Sequence, residues 1–262
     1  MSSSDLKAAV EALYRGADEA RRNEANQWLM SFSKTAEAWE GARVLLSDPA
    51  EDVQYFGANM FFVKVRSEWH GMPEEAKASV YSGLQQLVLQ LARHEGGGWH
   101  RLSAAGKRLC LTLAAAAVRS GSTADNFVRE ALSMCTATGA PVAVELLTAL
   151  PQEVLDHEAQ AQAGVAERIS GEARPELRAL LPQVLAALQA TLLQAGGQDG
   201  ECATACLKAT GQWMQLRAGG SLLLLVESFP QLLSASFDAL AAQDAQLNAA
   251  AADALVELLS GH

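Results

Sequence analysis

At 262 residues, half of them hydrophobic and only 6% aromatic, the chain can bury a substantial core as one large domain or two ordinary ones. A net charge of −10 leaves no basic face to neutralise phosphates, which argues against nucleic acid and for basic protein partners. The richest apolar run, Ser221 to Val226, stops at Glu227 and is too short to span a bilayer, and Met1 to Asp5 carries no signal-peptide core.

Alanine and leucine dominate while β-branched residues are sparse, so the summed propensity is helical. Leu6, Val10 and Leu13 form a first apolar stripe that ends near Arg15-Gly16. Ala25, Trp28, Leu29 and Phe32 follow at i, i+3, i+4 and i+7, one face of a second helix. Trp39, Ala42 and Leu46 mark a third. In Ser47-Asp48-Pro49-Ala50-Glu51 the sequence predicts a helix start, with Asp48 as cap, Pro49 in the first helical position and Glu51 closing a capping box. That fourth helix carries Phe56, Met60 and Val63 towards Trp69. Pro73-Glu74-Glu75 opens a fifth through Val80, Leu84, Leu87 and Leu91, with acids at the positive end of the dipole.

Gly96-Gly97-Gly98 breaks the pattern. Leu102, Ala105, Leu109, Leu113 and Ala116 make the next helix, and Phe127, Ala131 and Met134 the one after. Gly139-Ala140-Pro141 restarts the chain into Val144, Leu147 and Leu150, and a longer connection is expected over 157–174. Pro175 and Pro182 predict a short turn followed by a helix from Pro182 to Ala195, ended by Gly196-Gly197. Ala203, Cys206, Thr210 and Trp213 mark a stripe up to Arg217, Pro230 opens a helix over Leu233, Phe237 and Leu240, and Leu247, Ala251, Leu255 and Leu258 carry the last.

The reading is all-α, with about twelve helices in six pairs starting near Asp5, Thr35, Pro73, Thr123, Pro182 and Pro230. Their spacing of about 30 to 60 residues brackets the ~40–47 of HEAT-type repeats. A helix pair cannot bury its stripe alone, so the pairs are expected to stack as an α-solenoid over 1–262, its inner helices lining a surface for a protein partner.

No catalytic constellation emerges. Cys202 and Cys206 are one helical turn apart, but they fall on the apolar stripe beside Trp213 and read as core, with no further metal ligands at matching spacing. All four cysteines, Cys110 and Cys135 included, read as reduced and mostly buried in a chain of the cytosol or nucleus. His70, His94, His100, His157 and His262 are scattered over loops and helix ends, and no Ser or Cys has a nucleophile's setting. Gly96-Gly97-Gly98 lacks the Lys-Ser/Thr of a phosphate loop and reads as a linker. The chain is therefore expected to be no enzyme and to use no cofactor or metal. Trp28, Trp39 and Trp213 read as core, Trp69 and Trp99 as exposed helix-end residues, and Lys64 and Arg66 as a solvated face.

More specific segments alter that last reading. Val10-Glu-Ala-Leu-Tyr14, Arg22-Asn-Glu-Ala-Asn-Gln-Trp-Leu29 and Ala38-Trp-Glu40 resemble the N-terminus of the importin-β superfamily of nuclear transport receptors. Val53-Gln-Tyr-Phe-Gly-Ala-Asn-Met-Phe-Phe-Val-Lys-Val65 resembles the second-repeat inner helix of its transportin-SR branch. Glu145-Leu-Leu-Thr-Ala-Leu-Pro-Gln-Glu-Val154 and Gly211-Gln-Trp213 resemble later segments of that branch, in order and at matching separations.

The resemblance implies an N-terminal HEAT arch, with its importin-β N-terminal-like part at about 5–70 and further repeats at about 73–260. It implies binding of the GTP-bound form of the small GTPase Ran by inner helices of the first repeats. Carried over by position, Asn59 and Lys64 are the best-matched residues to face Ran, Arg66 less so, and Asn23 and Gln27 are weaker candidates. Phe56 and Trp28 match as core residues. It also implies protein cargo such as Ser/Arg-rich splicing factors, contact with nucleoporins, and shuttling between nucleus and cytoplasm. Receptors of this family carry several times as many repeats, so the chain is expected to correspond to an N-terminal portion, its last pair showing apolar surface. The alternative is a HEAT-repeat scaffold with no GTPase partner; a third possibility is an exportin, in which Ran and cargo bind cooperatively.

Overall fold

A computed structural model describes residues 3–92, 99–120, 124–134, 139–161, 169–195, 199–216 and 221–260. Among them the fold is all-α, with thirteen α-helices and no strand. These are α1 (Ser3–Arg15), α2 (Glu19–Phe32), α3 (Ala38–Leu46), α4 (Glu51–Glu68), α5 (Glu74–Leu91), α6 (Ala104–Ser120) and α7 (Ala124–Ser133). They continue as α8 (Ala140–Gln160), α9 (Arg174–Gln194), α10 (Gly200–Met214), α11 (Ser221–Ser228), α12 (Pro230–Leu240) and α13 (Ala245–Ser260). Cys135, His94, His262, Arg217, both glycine runs at 96–98 and 196–197, and the pair start at Thr123 lie outside the described residues, as does the middle of the 157–174 connection.

The chain forms two compact units, residues 1–91 with 102–116, and residues 92–101 with 117–262, so the division falls inside α6. In the first unit α1 packs on α2 and α3 on α4, with α1 also touching α3 and α4. The α3–α4 contact is close because Gly57 has no side chain: a Cβ there would lie 2.8 Å from the Ala42 carbonyl and 2.9 Å from the Leu45 Cβ. The stripe of α2 is buried at Ala25, Leu29 and Phe32, but Trp28 is 36% exposed and stacks on Phe32, contrary to its reading as core. Trp28 falls at the margin of the apolar arc, where stacking on a neighbour in the same helix covers only part of the ring. Phe56, also expected in the core, is half-buried with its ring edge-on to Tyr14.

Two further expectations are corrected in this unit. The fourth helix starts at Glu51 and not at Pro49. The Asp48 carboxylate does accept a backbone N–H, from Ala50, but it does so in the turn before the helix while pairing with Lys7 at 2.6 Å. Trp69 is 1% exposed, because a short 3₁₀ turn over Trp69–Gly71 folds it back under α4.

In the second unit α10 is the central helix, packed on α8, α9 and α13. Cys202, Cys206 and Trp213 are fully buried on its inner faces. Gly211 lets α13 approach until a Cβ would sit 3.3 Å from the Ala254 Cα. A buried ion pair links the end of α6 to α8, with Arg119 donating to Glu153 at 2.6 Å.

The prolines act differently from expectation. A single helix, α9, runs through both Pro175, in its first turn, and Pro182, inside it. Pro182 removes one helical hydrogen bond, but Leu177, Leu181, Val184, Leu185 and Leu188 bury one continuous apolar face across it. Each such side chain contributes about 1.5–3 kcal/mol on burial, enough to outweigh the break. Likewise α8 runs through Pro151 to Gln160, further into the expected connection than the pattern predicts. The run at Ser221 is itself a short helix, α11.

Candidate functional site

The α4 helix presents two opposed stripes, since side chains at i, i+4, i+7 and i+11 share a face. Gly57, Phe61, Lys64 and Glu68 form the stripe towards α3. Tyr55, Asn59, Phe62 and Arg66 form the other, half-buried except for the more covered Phe62.

Lys64 is on the inward stripe and is 1% exposed. Its ammonium donates to the Thr35 carbonyl at 2.7 Å, to the Ser33 carbonyl at 3.3 Å and to Glu68 Oε1 at 2.7 Å, and lies 5.4 Å from the Trp39 ring centre. Three donors are all that an ammonium has. Trp39 Nε1 donates to the other Glu68 oxygen at 3.3 Å, closing a Lys64–Glu68–Trp39 cluster. Ser33 caps the C-terminus of α2, so the cation sits where the helix dipole is negative. Lys64 therefore fixes the end of α2 to α4 and does not face outwards, which corrects both its reading as a partner contact and as a solvated charge.

Arg66 and Asn59 remain on the outward stripe. The Arg66 guanidinium lies 5.1 Å from the Phe62 ring centre. From α6, Arg108 lies 4.9 Å from the same ring centre and 5.6 Å from that of Tyr55, and its Nη2 donates to the Tyr55 hydroxyl at 2.9 Å. Two cations thus share one aromatic ring in a protein of net charge −10. Asn23 and Gln27 are exposed one turn apart on α2, with the exposed Met30 continuing that face. Arg108 escaped the sequence reading; its signal is the Lys107-Arg108 pair flanking the apolar stripe of α6.

This face carries hydrogen-bonding and cationic groups on rigid helices and is suited to docking a protein surface. Among the described residues no three His, Cys, Asp or Glu side chains group as the ligands of a metal ion would. No described helix is long and apolar enough to cross a membrane.

The family model of the Exportin 1-like proteins matches residues 106–255. Importin-13 of Homo sapiens is 26% identical over 266 residues, covering 98% of this chain and 25% of that protein. Importin-13 of Bos taurus is 27% identical with the same coverage. Transportin MOS14 of Arabidopsis thaliana is 25% identical over 216 residues, covering 82% of this chain and 21% of that protein. The chain spans about a quarter of the length of the curated relatives it matches.

Proposed function

The chain belongs to the Exportin 1-like family, within the importin-β superfamily, and we propose that it serves nucleocytoplasmic transport by binding the GTP-bound form of Ran through its early helix pairs. The observation that carries this reading is the outward stripe of α4, where Asn59 and Arg66 stand with Tyr55 and Phe62 beside Arg108 of α6. Asn23 and Gln27 add an exposed polar edge on α2.

Ran and cargo would be coupled through the receptor: in an importin each lowers the other's affinity by the same factor, because linkage is reciprocal. In an exportin the coupling has the opposite sign. Ser/Arg-rich splicing factors suit the acidic chain by charge, since complementary potentials steer encounter. Nucleoporins are further partners on this reading, and the chain shuttles between nucleus and cytoplasm.

The test is retention of the 262-residue chain on immobilised Ran loaded with GTP or with GDP. The GTP form is expected to retain about tenfold more or better, a coupling of ~1.4 kcal/mol or above. Replacing Asn59 by Ala, with Gln27→Ala added, is expected to weaken that retention. Equal retention on both forms, or none, overturns the reading and leaves the HEAT-type scaffold.

A further inference from the structure

We propose that a groove between α9 and α12, within the second unit, receives a short basic amphipathic segment of a protein partner. Apolar side chains of that segment enter the groove and a Lys or Arg meets Asp238. The inference stands apart from the reading of α2 and α4 as a Ran contact.

The groove holds about 590 Å³, within the range of ~300–1,000 Å³ usual for binding clefts. Leu192 and Leu193 on the last turn of α9 line one side, with Ala203 of α10 and Leu247 of α13. Leu192 is buried while Leu193 is 60% exposed, so an apolar lip stands over an apolar floor. On the α12 side, Ala235 and Ala239 leave the space that larger side chains would fill. Gln231, Ser234 and Asp238 line that side too, at i, i+3 and i+7 on one face of the helix. At 1.5 Å per residue this polar edge runs about 10 Å, two turns long, which suits a peptide segment.

Charge decides which segment. The exposed Asp238 carboxylate accepts from the neutral Ser234 hydroxyl at 3.4 Å, and among the described residues no cation pairs with it. Two further carboxylates stand beside lining residues. Asp199 caps α10 just before Ala203, and Asp244 caps α13 by accepting from the Leu247 N–H at 3.1 Å. Neither α9 nor α12 has a basic residue in its last turn, so no cation of its own offsets the negative end of the α9 dipole beside Leu192 and Leu193. Over residues 179–260 seven acids stand against two cations, Lys208 and Arg217, and no described residue lining the groove is cationic. This field attracts a basic segment and repels an acidic one, while the groove selects for apolar side chains on that segment.

The test measures fluorescence anisotropy of three labelled peptides of equal length against the whole chain at low ionic strength, where screening is weak. One is amphipathic with Leu and Lys, one has Ser for Leu, and one has Glu for Lys. The protein is wild type, Asp238→Lys, Leu193→Gln or Glu19→Lys, each checked by circular dichroism. Asp238 and Leu193 are exposed, and Glu19→Lys makes the same charge change on α2, in the first unit. The Leu/Lys peptide is expected to bind the wild type best, about tenfold more weakly to Asp238→Lys, and several-fold more weakly to Leu193→Gln. Glu19→Lys is expected to bind it as the wild type does.

Equal losses in Asp238→Lys and Glu19→Lys would reduce the effect to bulk charge and overturn the proposal. So would a Ser/Lys or Leu/Glu peptide binding as tightly as the Leu/Lys one, or no saturable binding by the wild type. Sedimentation of the chain alone reads the other occupant: self-association abolished by Leu193→Gln would give the groove to a second copy and also overturn it. Retention on Ran·GTP is judged separately, since it tests α2 and α4, and its failure leaves peptide binding by this groove standing.

Discussion

The indole nitrogen of Trp213 donates to the backbone carbonyl of Leu147 at 2.8 Å, and Leu147 lies four residues before Pro151, which sits inside α8. Proline has no N–H, so it leaves open the carbonyl four residues earlier in its helix. The side chain from α10 closes it, and a proline that would weaken α8 becomes the point where α10 is latched.

Trp213→Phe should therefore destabilise the protein by about 1–3 kcal/mol, the cost of leaving a buried carbonyl unpaired. In a Pro151→Ala background the helix can supply its own N–H, and the same substitution should cost less. A double-mutant cycle on urea denaturation is expected to give a coupling of at least ~0.5 kcal/mol. Additive effects would show that the indole contributes packing alone.

Lys64→Met should act on stability and not on an outward contact, since all three ammonium donors point inwards. A loss of about 1–3 kcal/mol is expected from the unpaired carbonyls. Hydrogen exchange should quicken around residues 33–37, where α2 ends and α3 begins. A variant with unchanged melting and unchanged exchange would return Lys64 to the surface.

Two glycines should respond with opposite signs. Gly57→Ala places a methyl 2.8 Å from the Ala42 carbonyl and should cost about 1–3 kcal/mol as α3 is forced outwards. Gly83→Ala, within α5 and with nothing inside 4 Å of the new methyl, should gain about 0.5–1 kcal/mol through helix propensity. Thermal melting of the two variants reads both signs.

The Lys7–Asp48 pair should make stability depend on pH at both ends. Its hydrogen bond to Lys7 holds the Asp48 carboxyl below the usual range, so its contribution is present above the unfolded value of about 4 and lost as pH falls through the folded one. The same bond to Asp48 raises Lys7, whose contribution is present below about 10.4 and lost as pH rises through its folded value. Asp48→Asn keeps an acceptor for the Ala50 N–H but drops the pair. Its urea midpoint should vary less than that of wild type below pH ~4 and above pH ~10.

The outward stripe could be placed in part from sequence, through the run from Val53 to Val65 that resembles an inner helix of transport receptors. Asn59 and Arg66 keep outward places on it; Lys64, two residues from Arg66, is turned inwards. Arg108 is 53 residues from Tyr55, and nothing local to either residue announces their contact.

What the amino-acid sequence determines by itself is the all-α class, the apolar stripes, most helix starts and the burial of Cys202, Cys206 and Trp213. These follow from residue spacing and propensity, which act within a few residues along the chain. Tertiary structure alone decides that α9 crosses Pro182, that Trp28 stays partly exposed while Trp69 is buried, and that Lys64 becomes an internal strut. Those outcomes depend on which distant surface meets each side chain. A proline, a tryptophan or a lysine carries both a local preference and an apolar or charged reach, and the neighbour it meets settles which one prevails.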